Sequence, residues 1–102
     1  MIQPLDGPSK QFSISVDSST VKEVKAGASA FNERKVITLQ PLGGDIWVYF
    51  ADEGETPDAT DVSTKGFQHF KKNKESYEAS HQQSVFILAV TSTADVRGAE
   101  RA

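Results

Sequence analysis

The sequence predicts an all-β domain, a small antiparallel β-sandwich or barrel of jelly-roll or immunoglobulin type, with an extended N-terminal arm. Three observations predict it. Short segments rich in β-branched and aromatic residues recur at spacings of about ten residues, divided by clusters of Gly, Pro, Asn, Asp and Ser. Several of these segments alternate apolar and polar residues with a period of two, the signature of a half-buried strand. Only one stretch, 26–33 (AGASAFNE), has helical character, and Gly27 and Asn32 oppose it. With 102 residues the chain makes one domain, expected over 11–102. A chain of this size buries roughly two-thirds of its unfolded surface, enough for one core.

Residues 1–10 carry two prolines and no periodicity, and proline lacks the amide that a ladder needs. They are read as an extended arm. Phe12, Ile14 and Val16 alternate with Ser13 and Ser15, which predicts a strand. Asp17-Ser18-Ser19 is a turn cluster. Thr20 to Lys25 has no clean apolar face, so it predicts a weak edge strand. Arg34 to Gln40 (RKVITLQ) is rich in β-branched residues, with Ile37 and Leu39 on one face and Val36 and Thr38 on the other. Asp45 to Ala51 (DIWVYFA) is apolar on both faces. Pro41-Leu42-Gly43-Gly44 separates the two, and Gly-Gly supplies the positive φ angles of a tight turn. The expectation is a β-hairpin, covered by protein on both sides. Residues 52–66 are the most polar stretch and read as a loop with a short strand at Ala59 to Ser63. Phe67 and Phe70 flank Gln68-His69, and KKNKES reads as a turn between short strands. Ser84 to Thr91 (SVFILAVT) is the strongest strand. Ala94 to Glu100 closes the domain, either paired with that strand or as its bent continuation.

Composition narrows the function classes. Net charge is -3, which disfavours a nucleic-acid or anionic-membrane binder, since both need a basic face. There is no cysteine, hence no disulfide and no thiolate zinc site. The start, MIQPLDGPSK, lacks the basic and apolar regions of a signal peptide. The longest apolar runs, Ile46 to Ala51 and Val85 to Val90, are too short to span a membrane as helices. Synthesis and folding in a cytoplasm are expected.

Each candidate for chemistry has a plainer reading that outweighs it. Asp52, Glu53, Glu55, Asp58 and Asp61 offer oxygens for a hard cation, but their spacing is not that of an EF-hand, and a solvated loop is the better reading. His69 and His81 are not at a local ligand spacing. They would meet only across a hairpin and would still need further ligands, so ordinary surface histidines are expected. Lys71, Lys72 and Lys74 lack the glycines or arginines of a phosphate cradle and read as a hairpin tip kept soluble by lysine. No Gly-x-Ser-x-Gly elbow is present, and neither histidine has a nearby orienting carboxylate. No catalytic residue, cofactor-binding residue, cofactor or metal site is therefore assigned, and the chain is read as a non-enzyme. The aromatic residues are more informative. Ile46, Val48 and Phe50 point one way on their strand, and Trp47 and Tyr49 the other. One set faces the core, and the other faces a second layer or another subunit. Trp47, Tyr49, Phe67 and Phe70 are the expected interface residues, because large aromatic side chains dominate binding hot spots.

Four ordered segments carry a resemblance. They are Arg34-Lys35-Val36-Ile37-Thr38-Leu39-Gln40 followed by Ile46-Trp47-Val48-Tyr49-Phe50; Val62-Ser63-Thr64-Lys65-Gly66-Phe67 with the lysine-rich turn; Val85-Phe86-Ile87-Leu88-Ala89; and Ala94-Asp95-Val96-Arg97-Gly98-Ala99-Glu100. In order and spacing they resemble a group of small tailed-phage virion proteins of about this length, over residues 30–102. The chain departs from that pattern at Pro41, at Phe50-Ala51-Asp52, and at Gly98, which stands where the family has a strand valine. The resemblance implies a virion component made in the host cytoplasm: a capsid decoration or cement protein, or a minor head protein. It would bind the major capsid or other virion proteins as a homo-oligomer, a trimer by the family's habit. The alternatives are a tail- or fibre-associated receptor- or carbohydrate-binding β module, a head–tail connector component, and, behind these, a small hydrolase using His69 or His81. A structural ion pair is also expected, from Arg34 or Arg97 to Asp95 or Glu100. It would lock the closing strand and, near the surface, contribute about 0.2–1 kcal/mol.

Overall fold

The computed structural model describes residues 9–102. In chain order the elements are β1 (Ser9–Asp17), β2 (Lys22–Glu23), β3 (Val36–Leu42), β4 (Ile46–Phe50), α1 (Ala59–Lys65), β5 (Phe67–His69), β6 (Glu75–Glu78), β7 (Val85–Ala89) and β8 (Thr93–Arg101). The eight strands form two antiparallel four-stranded sheets, ordered β1-β8-β3-β6 and β2-β7-β4-β5. The sheets face each other across one core of Val16, Val24, Ile37, Leu39, Ile46, Val48, Val85, Ile87, Ala89, Ala94 and Val96. The inward residues are those that the period-two pattern selects: Ile37 and Leu39 on β3, Ile46 and Val48 on β4. The all-β sandwich expected from the sequence is therefore the fold.

The chain changes sheet at almost every connection. Only β4 and β5, joined through α1, are consecutive strands that pair within one sheet. β1 instead pairs with β8 along its length, from Ser9–Arg101 to Asp17–Thr93. Among the described residues this wrapping, with the first strand beside the last and the second beside the seventh, is the jelly-roll order.

That order corrects four expectations. β3 and β4 are not a hairpin. The turn exists, with Gly43 at φ 85°, but it carries the chain from one sheet to the other. Alternation decides which residues face inward, and two such strands satisfy it equally well side by side or face to face. β7 and β8 neither pair nor form one bent strand; they lie in opposite sheets, and Ser92, at φ 41°, sits in the crossover. The lysine-rich turn is likewise a crossover, from β5 to β6, and not a hairpin tip. Residues 59–65 are a helix and not a strand. The Asp58 carboxylate accepts from Asp61 N, and the Asp61 carboxylate accepts from Asp58 N, a reciprocal capping box. Buried Pro57 and Val62 occupy the two positions of a hydrophobic staple around it. Of the expected arm, residues 1–8 lie outside the described residues, while Ser9 and Lys10 already belong to β1.

Helix α1 lies against both β4 and β7. The inner face of that sheet is filled by the opposing sheet, so the helix crosses the outer face. Cross-strand pairing puts Trp47 beside Leu88 and Tyr49 beside Phe86 there. Leu88 and Val62 are buried outside the main core. The second layer over β4 thus comes from the chain itself, and this is why both faces of that strand are apolar.

Candidate functional site

The two edges on the β5–β6 side of the sandwich gather a cluster of aromatic residues. Val48 pairs with Phe67 and Ile46 with His69, so both β5 side chains share the inward direction of the core residues. At the edge of the sheet His69 is fully covered and Phe67 only partly roofed. Phe50, Phe67 and Tyr77 form a triangle with ring centroids 5.6, 5.7 and 6.0 Å apart, spacings typical of favourable aromatic packing. His69 joins it at 5.8 Å from Tyr77. Phe67 remains 48% exposed and Phe70, just beyond β5, 55% exposed.

The scaffold under this patch is well tied. Asp45 accepts from Lys71 N at 2.8 Å and from the Gln68 side chain at 2.9 Å. Lys72, at φ 70°, donates its amide to Pro41 O at 2.7 Å. His69 is buried and not a surface residue. Its Nε2 lies 2.7 Å from Asn73 O, an acceptor only, so Nε2 carries the proton. Nδ1 lies 2.9 Å from the Tyr77 hydroxyl. Both ring nitrogens are committed to holding the crossover. His81 is exposed in a separate turn, so the two histidines form no joint site. Tyr77 itself is pushed up to about 12, by burial and then by the negative charge of Glu75.

The other expected interface residues are less available. Trp47 and Tyr49 are half-buried on the face that α1 crosses. The Tyr49 hydroxyl donates to Glu55 Oε2 at 2.7 Å, and Glu55 Oε1 accepts from Asp52 N. That bond pushes Tyr49 up to about 12 and holds Glu55 below its ordinary range. The acidic segment is used locally: Glu55 clamps Tyr49, and Asp58 and Asp61 cap α1. Among the described residues no group of three or more His, Asp or Glu is gathered to hold a metal ion.

The ion pairs divide by depth. Arg97 Nη2 lies 3.2 Å from Asp95 Oδ2 on the surface, and Ser13 donates to the same carboxylate. Arg34 pairs with Glu100, not with Asp95, at 2.8 Å, and both side chains are fully buried, not near the surface. Arg34 further donates to the carbonyls of Val24 (3.0 Å), Ala79 (3.1 Å), Ser80 (2.9 Å) and Gln83 (2.6 Å). Glu100 accepts from Ala26 N and Phe31 N. One residue pair thus pins the 24–34 segment, the 79–83 turn and β8 together. Glu100 was legible as the odd residue on β8: it shares the inward phase of Ala94 and Val96.

Compared with protein-family models, curated proteins and solved structures, the chain matches none.

Proposed function

We propose that the chain is a structural component of a tailed-phage particle, a capsid decoration or minor head protein that binds the capsid lattice as a homo-oligomer and turns over no substrate. The observation that carries the reading is the aromatic patch on the β5–β6 side. Phe67 and Phe70 are the exposed large hydrophobics among the described residues, three residues apart along the β5 edge on a firmly tied scaffold. Exposed aromatic clusters with rigid support are what protein interfaces use as anchors. Burying the open half of each ring would contribute roughly 1 kcal/mol apiece. That is weak for one contact and sufficient when a ring or a lattice repeats it. Strands β5 and β6 have three and four residues, too short to template much strand addition, so side-chain docking is the mode favoured here.

The jelly-roll order is compatible with this reading without selecting it, because the same topology serves viral capsid domains, lectins and cupins. The ordered segments from Arg34 to Glu100 are what weight it towards the particle. Electron microscopy of particles prepared with and without the protein tests the proposal. The expected result is additional density on the head that contains the protein. Identical heads would overturn it.

A further inference from the structure

The opposite end of the chemistry lies on the outer face of the β1-β8-β3-β6 sheet. Residues 97 to 101 read Arg-Gly-Ala-Glu-Arg, and their alternation puts Arg97, Ala99 and Arg101 on that outer face. Ala99 pairs with both Gln11 and Thr38, so three short or medium side chains make a floor. The two arginines stand on either side, about 13 Å apart along the strand, and Lys74 closes a third side. The result is a concavity of about 350 Å³. Its lining includes Gln11, Thr38, Gln40, Lys74, Arg97 and Arg101.

Three features give this hollow a chemical preference. It holds three cationic side chains and no carboxylate among its lining residues, in a chain whose net charge is -3. Arg97 has a surface partner in Asp95, but neither Lys74 nor Arg101 has an ion-pair partner among the described residues. And Gln11 adds an amide N–H donor to the lining. An oxyanion in the hollow would accept charge-assisted hydrogen bonds from these groups.

We propose that this concavity is an oxyanion-binding site, taking a phosphate or carboxylate group of a small multivalent anion. Arg97 and Arg101 would donate through their terminal guanidinium nitrogens, Lys74 would act as a point charge, and the Gln11 amide would add a neutral donor. The site is distinct from the Phe67–Phe70 patch and does not depend on the role proposed for that patch.

The test is an amide-resolved NMR titration of the full chain with inorganic phosphate and, separately, with citrate, against sodium chloride at matched ionic strength. The expected result is saturable shifts centred on Thr38, Gly98, Ala99 and Arg101 with one or both oxyanions and not with chloride. Preference for phosphate assigns a phosphorylated ligand, and preference for citrate a polycarboxylate. Arg101→Gln should weaken binding by roughly tenfold to a hundredfold, the range for losing a charge-assisted hydrogen bond. Lys74→Gln, at an exposed position where folding is not at stake, should weaken it by a smaller factor. Shifts that stay linear, that chloride reproduces, or that both variants leave unchanged would overturn the proposal.

Discussion

Arg34→Met removes the guanidinium at the centre of the buried network while keeping a long apolar stem. Glu100, fully shielded from solvent, is left with two backbone donors and no counter-ion. Deleting one partner of a buried pair costs about 3–5 kcal/mol. The carbonyls of Val24 and Ala79, both on buried residues, also lose their Arg34 donor, and each adds up to about 1–3 kcal/mol if no water replaces it. A domain of this size has a total stability of about 5–15 kcal/mol, so the variant should stand near the limit of folding. Urea denaturation should show a loss of at least about 3 kcal/mol. Heating should lower Tm by on the order of 12 °C or more, at about 4 °C or more per kcal/mol. Arg97→Gln is the control, since its exposed pair with Asp95 is expected to contribute about 0.2–1 kcal/mol. Arg34→Met/Glu100→Leu separates charge from anchoring. Replacing a buried pair by apolar residues is often neutral, but here it strips the acceptor from Ala26 N and Phe31 N. The double variant should therefore recover part of the loss and not all of it. A loss for Arg34→Met no larger than for Arg97→Gln would refute the reasoning.

Valine at position 98, the residue of the phage proteins that the sequence resembles, should do harm. A Cβ on Gly98 would collide with Thr38 O and lie 2.7 Å from the Phe12 ring, so Gly98→Val should lose about 1–3 kcal/mol or more in denaturant unfolding, as overpacked sites do. Asp58→Ala removes the acceptor at the N-cap of α1 and should cost about 1 kcal/mol, with faster amide exchange confined to residues 59–65. The chain has two tyrosines, and both are pushed up to about 12. Alkaline titration of tyrosinate absorbance should show no step near 10 while the protein stays folded. Because the folded values lie above the unfolded one, stability is retained below pH 10 and falls as pH rises towards 12; a native step near 10 that Tyr49→Phe abolishes would show that Tyr49 is not held by Glu55. Glu55 and Asp17 are depressed, by the Tyr49 hydroxyl and by the amides of Ser19 and Thr20 respectively. Their contribution is present above the ordinary carboxylate range and is lost as pH falls through their folded values, so Tyr49→Phe should flatten the acid limb of the stability curve.

Local pattern made the strands and their inward residues readable. Phe12-x-Ile14-x-Val16, Ile37-x-Leu39 and Ile46-x-Val48 each declare one buried face, and all three face the core. The edge position of β2 was readable from its mixed charge. Pairing was not, because hydrogen-bonded neighbours in this fold lie far apart in sequence: β1 with β8, β3 with β6 and β8. Gly43-Gly44 signals a turn and is silent on which sheet the next strand joins. The helix was overlooked because seven residues are too few to establish a period. Its signal was the Pro57-Asp58-x-x-Asp61-Val62 frame and not hydropathy. The buried Arg34–Glu100 pair and His69 were hidden by residue type. Charged and titratable residues are expected outside, and only their phase, Glu100 with Val96 and His69 with Phe67, marked them as inward. Of the expected interface residues, Phe67 and Phe70 are exposed, while Trp47 and Tyr49 lie on the face that α1 crosses, a cover that pattern alone could not assign.

The central claim is that the Phe67–Phe70 patch binds protein. Sedimentation velocity of the wild-type chain and of Phe67→Ser/Phe70→Ser, each alone and mixed with purified particles, tests it most directly. The wild type should sediment as an oligomer or move with the particles, and the double variant, still cooperatively folded by circular dichroism, should do neither. A wild-type chain that stays monomeric and free of the particles, or a folded variant that associates as the wild type does, would contradict the account.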